Sequence, residues 1–181
     1  MPRTVARSGF RGLTYRALAK EAGVTYGLIS YHFGSREALI EEAARLAVDE
    51  AIAKSQLMPE SGRVEDFASG LPRLLREDRD AQAFQYDLVS EALRNEKLQE
   101  PVAELYRRYV AAVEEALREF GVDDDPALAR VVFATLDGLT LQQFIFADEA
   151  ATDESVARLQ ELIREVAAAR GAATADKPAD T

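Results

Sequence analysis

Residues Gly23–Leu39 read GVTYGLISYHFGSREAL, and the fold turns on how they are read. Thr25 stands where a side-chain oxygen can cap a helix, and that helix is expected to run to about Phe33. Leu28, Ile29 and Phe33 are spaced for one buried face. Thr25, Tyr26, Ser30 and Tyr31 are left to the outside. Gly34-Ser35 interrupts the pattern. Ser35 then caps a longer helix, expected to reach about Ser55, with Glu37 and Glu41 near its positive end. Upstream, Leu13–Glu21 (LTYRALAKE) starts with Thr14 as N-cap and carries Leu18, Ala19 and Ala22 on an inward stripe. Gly23 closes that first helix, as a glycine just past a C-terminus does.

Two short helices joined by a tight turn containing glycine describe a helix-turn-helix. In that motif the second helix lies in the major groove of duplex DNA with its N-terminal residues at base edges. Its inner face must be apolar. Its outer face must donate hydrogen bonds or pack on thymine methyls. Gly27 lets the backbone come close to the duplex.

Charge is placed in keeping with this. The net charge is −10, yet residues 1–40 carry six basic and two acidic side chains, a net +4, and the remainder carries −14. A basic head on an acidic body suits a polyanion-binding module joined to a body that the polyanion repels. With no Cys, disulfide scaffolds, thiol catalysis and Cys-based zinc sites are excluded. With one His, His32, multi-histidine metal sites are excluded too. Met1–Phe10 has arginines but no apolar core, so it does not read as a secretory signal, and no apolar run approaches the roughly 18–20 residues of a membrane span. A soluble cytoplasmic protein is the expectation. An enzyme would need a nucleophile–base pair or a metal. Asp87, Glu91 and Glu96 could do acid–base work, but charge on a helix surface explains them better, and no cofactor is expected.

The rest of the chain is helical in composition, rich in Ala, Leu, Glu and Arg. Met58–Arg63 reads as a linker and Val64–Arg76 as a helix. Asp80–Leu98 reads as another, with Phe84, Leu88, Val89 and Leu93 inward. Pro101 suits the first turn of a helix to about Phe120. Gly121–Pro126 (GVDDDP) is a turn and cap rather than a metal site. Pro126–Ala150 is apolar on several faces, which predicts burial on more than one side. Thr152–Arg170 is the last helix, and residues 171–181 are expected to be a disordered tail.

The run GF…LTYRALAKEAGVTYGLISYHFGSREAL resembles the DNA-binding domain of the TetR family of bacterial repressors. The resemblance rests on Gly9-Phe10, Thr14, Leu18-Ala19, Ala22-Gly23-Val24, Gly27, His32-Phe33 and Ser35-Arg36-Glu37 with Leu39. EALRNEKLQ and ATLDGLTLQQF look more loosely like helices of the same family's body. The resemblance implies an all-α chain: a helix-turn-helix DNA-binding domain over residues 1–48 and an effector-binding and dimerisation domain over 49–170. It implies phosphate contacts from Thr14, Arg16, His32 and Arg36. Thr25, Tyr26, Gly27, Leu28 and Tyr31 would face bases or the sugar-phosphate backbone. The chain departs from the family pattern in two places. Ser30 stands where the family usually has an aromatic residue, and Tyr31 would partly replace it. Only Met1–Ser8 precedes Gly9-Phe10, where the family has a full amphipathic helix. The expectation is a truncated first helix, from a mis-assigned start or a real short form, and a less stable DNA-binding module.

Operators of this class are two-fold symmetric, so a homodimer is expected. Leu128, Thr135, Gly138, Leu139, Gln142, Val156, Leu159 and Ile163 are the interface candidates, on the last two helices. Phe84, Leu88, Tyr106, Tyr109, Phe133, Gln143 and Phe144 are candidates to line an effector pocket, an apolar, aromatic site for a small molecule that is not strongly anionic. The expected function is a ligand-responsive repressor released from a palindromic operator. The alternative is a dimeric small-molecule-binding or protein-interaction module with impaired DNA binding.

Overall fold

The computed structural model describes residues 14–175, and everything below concerns these. They form eight α-helices and no strand: α1 Tyr15–Ala22, α2 Tyr26–Phe33, α3 Arg36–Ser55, α4 Leu71–Glu77, α5 Arg79–Ala92, α6 Glu96–Glu119, α7 Pro126–Phe146 and α8 Glu149–Ala175. The expected all-α class holds. Gly9-Phe10 and the short segment ahead of it lie outside the described residues. The helices fall into two compact units. One comprises the described residues up to Ala51 with Arg76–Arg108, the other Ile52–Leu75 with Tyr109 onward.

The first unit follows its caps. The Thr14 hydroxyl accepts from the Ala17 amide at 3.2 Å and starts α1. Ala19 is buried, but Leu18 is half-buried and Ala22 exposed, so the expected inward stripe narrows to its centre. On α3, Leu39, Ile40, Ala44, Ala47, Val48 and Ala51 are buried, a three-and-four spacing that gives one continuous face. Asp49 joins two elements. It accepts from Arg45 at 3.0 Å on its own helix and from Arg108 on α6.

Several helix boundaries differ from expectation. Val64–Arg76 is not one helix. Val64–Asp66 makes a single 3-10 turn, the chain turns at Ala68 (φ 55°), and α4 starts at Leu71. Pro72 explains the break. In a helix begun at Val64 it would sit in the interior, whereas at the second position of α4 its missing N–H costs nothing. Asp80–Leu98 is also split. Helix α5 ends at Ala92, and Asn95 accepts from the Lys97 amide at 3.2 Å as α6 begins. Pro101 therefore lies inside α6, not in its first turn, and withholds a hydrogen bond from the Lys97 carbonyl. Leu93, expected inward, is 79 % exposed at the break.

In the second unit, the expected Pro126–Ala150 helix stops at Phe146, where Ala147 takes a left-handed conformation (φ 53°). Asp148 accepts from the Ala151 amide at 3.0 Å and caps α8 three residues before the expected start at Thr152. Helix α8 continues through Gly171 to Ala175, where a disordered tail was expected. Asp125 does act as a cap, accepting from Leu128 at 2.9 Å, and also pairs with Arg170 of α8. Helix α7 buries one face only: Ala129, Val132, Phe133, Leu136, Thr140 and Gln143. Val131, Leu141, Ile145 and Phe146 are exposed, so the expected burial on several sides is not met within one chain.

The 3-10 turn is tied to α8. Gln160 donates to the Phe67 carbonyl at 2.7 Å, Arg164 pairs with Glu65 at 2.8 Å, and the Phe67 ring meets Phe120 edge-on at 5.9 Å. Gly70 is pressed against the end of α3. A Cβ there would stand 2.1 Å from the Lys54 carbonyl oxygen, which is backbone and cannot swing away. Gly70→Ala is therefore expected to destabilise the protein by about 1–3 kcal/mol in urea unfolding. Gly27→Ala, with nothing within 4 Å of its new methyl, should be neutral or stabilising by up to about 1 kcal/mol.

Candidate nucleic-acid interface

The site is built from two eight-residue helices and the turn between them. Gly23 adopts φ 67°, open to glycine without strain, and the Val24 amide returns to the Ala19 carbonyl at 3.0 Å. Thr25 is extended, and its hydroxyl accepts from the Leu28 amide at 3.3 Å. This reverses the chain within three residues and packs α2 on α1. Tyr15 of α1 meets Tyr26 of α2 edge-on, ring centroids 5.9 Å apart, so the first residue of α2 is braced from behind. At the far end the Gly34 amide donates to Ser30 at 3.0 Å, and the Ser35 hydroxyl caps α3 by accepting from Ala38 at 3.1 Å.

The two faces of α2 separate differently from the expectation. Ile29 is the buried residue and Phe33 is half-buried, edge-on to His32 at 4.7 Å. Leu28, expected inward by its spacing, is 54 % exposed. Ser30, expected outward, is half-buried. A helix of two turns can bury only a narrow stripe, and Ile29 with Phe33, four apart, already fills it. The exposed face thus consists of Thr25, Tyr26, Gly27, Leu28, Tyr31 and His32. Tyr31 is 90 % exposed. Thr14 at the N-cap of α1, Arg16 on α1 and Arg36 on α3 are exposed as well.

Behind the motif, Arg45 makes a two-pronged contact with Glu42, at 2.7 and 2.9 Å. That contact holds the Glu42 carboxyl below the usual carboxylate range. The Glu42–Arg45–Asp49 ladder is readable from its spacing of three and four. Its continuation to Arg108, 59 residues away, carries no local signal, and neither does the Tyr15–Tyr26 brace.

The body candidates divide between the two units. In the first, Phe84 and Leu88 are buried and Tyr106 is half-buried. In the second, Tyr109 stacks on Phe133 at 5.1 Å with planes 13° apart, and Phe144 is half-buried. Gln143 is engaged by its neighbour, accepting from the Thr152 hydroxyl at 2.5 Å. Of the interface candidates, Leu128, Thr135, Leu139, Leu159 and Ile163 line one groove of about 730 Å³ between α7 and α8, joined by Val131, Leu162 and Val166. Gly138 is half-buried, Gln142 is exposed, and Val156 is buried.

Two short helices locked by a glycine turn, presenting a polar and aromatic face beside exposed basic residues, define a DNA-binding regulator of the helix-turn-helix class. Residues 3–43 match the family described as bacterial regulatory proteins, tetR family, and residues 62–169 match the tetracyclin repressor-like C-terminal domain. The chain belongs to the TetR family. A TetR-family member from Streptomyces coelicolor A3 is 30% identical, with 87% of this chain and 91% of that chain covered and a TM-score of 0.64. The multidrug binding protein EbrR complexed with ethidium is 32% identical over 87% of this chain and 92% of its own, TM-score 0.62. A protein of Rhodococcus sp. assigned to the TetR-family transcriptional regulators is 25% identical over 90% and 92%, TM-score 0.70. No curated protein matches the chain.

Because α2 is too short to persist alone, its cap should be felt. Thr25→Ala is expected to cost about 1 kcal/mol. Hydrogen exchange should show it as faster exchange through α2, with the amides of α8 unchanged.

Proposed function

We propose that the protein is a ligand-responsive repressor that binds a palindromic operator as a homodimer and is released by a small molecule. The observation that carries this is the outer face of α2. Tyr26, Leu28 and Tyr31 stay exposed while Ile29, with half-buried Phe33, anchors the helix. Leu28 and Tyr31 are too exposed to add to the core, Tyr26 keeps half its surface open beside Tyr15, and such apolar and aromatic groups suit a major groove. In this reading Thr14, Arg16, His32 and Arg36 contact phosphates, and Thr25, Tyr26, Gly27, Leu28 and Tyr31 face bases or sugar. Phosphate contacts position the protein and base contacts specify sequence.

The groove between α7 and α8 is the proposed dimer interface. Exposed Val131 and Leu162 on its walls are what a second copy would cover. A dimer sets two recognition helices about 34–36 Å apart, one turn of duplex. A ligand that prefers a different arrangement lowers DNA affinity by its differential affinity alone.

For the effector, the stacked Tyr109–Phe133 pair with half-buried Phe144 supports a flat aromatic ligand. The likeness to EbrR, solved with ethidium and with proflavin, supports the same class. Both compounds are flat aromatic cations, and the net −14 of residues 41–181 favours a cation.

Selection of bound sequences from random duplex DNA tests the proposal, and a palindrome is the expected result. Arg16→Ala should weaken all sites about equally and lower the salt slope by about 1, while Tyr26→Ala should reduce discrimination between sites. No enrichment would point instead to a dimeric binding module without operator recognition. Leu162→Glu, at a position 50 % exposed in the single chain, should leave the fold intact and shift the sedimentation coefficient to that of a monomer.

A further inference from the structure

The composition of the outer face of α2 limits how it can read sequence. Helix α2 is YGLISYHF and contains no Arg, Lys, Asn or Gln. Those four side chains make the two-pronged contacts that single out guanine or adenine in the major groove. The hydrogen-bonding groups left on the exposed face are the hydroxyls of Thr25, Tyr26 and Tyr31 and the His32 imidazole. A hydroxyl donates and accepts with equal ease and fits either base of a pair, so it discriminates weakly. The Thr25 oxygen also already accepts from the Leu28 amide.

With His32 given to a phosphate in the operator-binding reading, what remains to discriminate is apolar. Leu28 is 54 % exposed and Tyr26 is 52 % exposed, one on each side of Gly27. The Tyr26 ring is held by Tyr15, so it enters a complex already oriented. Gly27 leaves the helix surface open at its own position, with nothing within 4 Å of where a Cβ would stand. Exposed apolar side chains beside a bare backbone position fit one feature of the major groove, the thymine C5-methyl. We infer that the protein reads its operator chiefly through thymine methyl groups, received by Leu28 and Tyr26 beside Gly27. The inference rests on the operator-binding reading above and adds the chemistry of the bases recognised.

The test uses the full chain and the palindrome recovered by selection. Each thymine is replaced in turn by deoxyuridine, which removes the methyl and keeps every hydrogen bond. At one thymine or more in each half-site the affinity should fall about fourfold per methyl, the worth of one buried carbon. Leu28→Ala, an exposed position that leaves the helix folded, should abolish the deoxyuridine effect at one position per half-site and preserve it elsewhere. A palindrome whose binding is unchanged by every deoxyuridine, or falls only when 7-deazaguanine replaces guanine, overturns the inference and leaves operator binding standing. Failure to recover any palindrome overturns both.

Discussion

The turn Gly23–Thr25 is the constraint on which the proposed DNA face depends. Helices of eight residues are marginal in water, because nucleation costs more than so few hydrogen bonds return. Helices α1 and α2 bury one residue each, Ala19 and Ile29. Full burial of Ile29 contributes about 1.5–3 kcal/mol, and an N-cap typically about 1. The caps at Thr14, Thr25 and Ser35 together therefore rival the burial within these two helices. A motif held by its ends can leave its outer face free of packing duties. That freedom is what allows Tyr26, Leu28 and Tyr31 to remain exposed.

Polar residues elsewhere carry two duties at once. Asp49 takes guanidinium groups from Arg45 on α3 and Arg108 on α6, and Asp125 caps α7 while receiving Arg170 from α8. The side chains of Asp49, Arg45 and Arg108 are 36–42% exposed, and pairs so exposed contribute at most about 1 kcal/mol each. Their effect is directional. A carboxylate shared between two helices fixes one register between them. On α3 that register also governs where Arg36, at the start of the same helix, is held.

Local chemistry was legible in the sequence, and long-range contact was not. Thr14, Gly23, Thr25, Ser35 and Asp125 each act where turn and cap chemistry puts them. Sequence and structure part where a periodic pattern runs across a break. Leu93 continued the spacing of Phe84 and Leu88, yet the chain had already left α5. Leu28 shared a period with Ile29 and Phe33, but on two turns the buried stripe is too narrow to include it. Pro101 is a good first-turn residue and is tolerated inside α6 all the same, which propensity alone does not reveal. Asp148 caps α8 although its neighbour Ala147 takes a left-handed backbone that usually belongs to glycine or asparagine, which hides the break from the sequence. Tyr15–Tyr26 and Asp49–Arg108 become visible only once the helices are placed.

Helix α7 shows how strongly an unfinished surface can be written into a chain. It has two charged residues in 21, Arg130 and Asp137, within a protein that is 30% charged overall. One face satisfies the core, and Val131, Leu141, Ile145 and Phe146 stay in water. Leaving them there costs the solvation that any covering surface would recover. In the proposed dimer a two-fold axis through the α7–α8 groove would set Val131 and Leu162 against their own copies, so a rim of a single sign would repel itself. The rim carries Glu154, Arg158 and Glu161, with Arg158 and Glu161 already paired at 2.7 Å. That mixture would let an acidic body, net −14 over residues 41–181, present an apolar centre to the proposed second copy without opposing charges of one kind at its edge. The constraint that shapes α7 is then the mirror of the one that shapes α2. Each keeps one face for the fold, and in the proposed function the other is left for a surface the single chain does not supply.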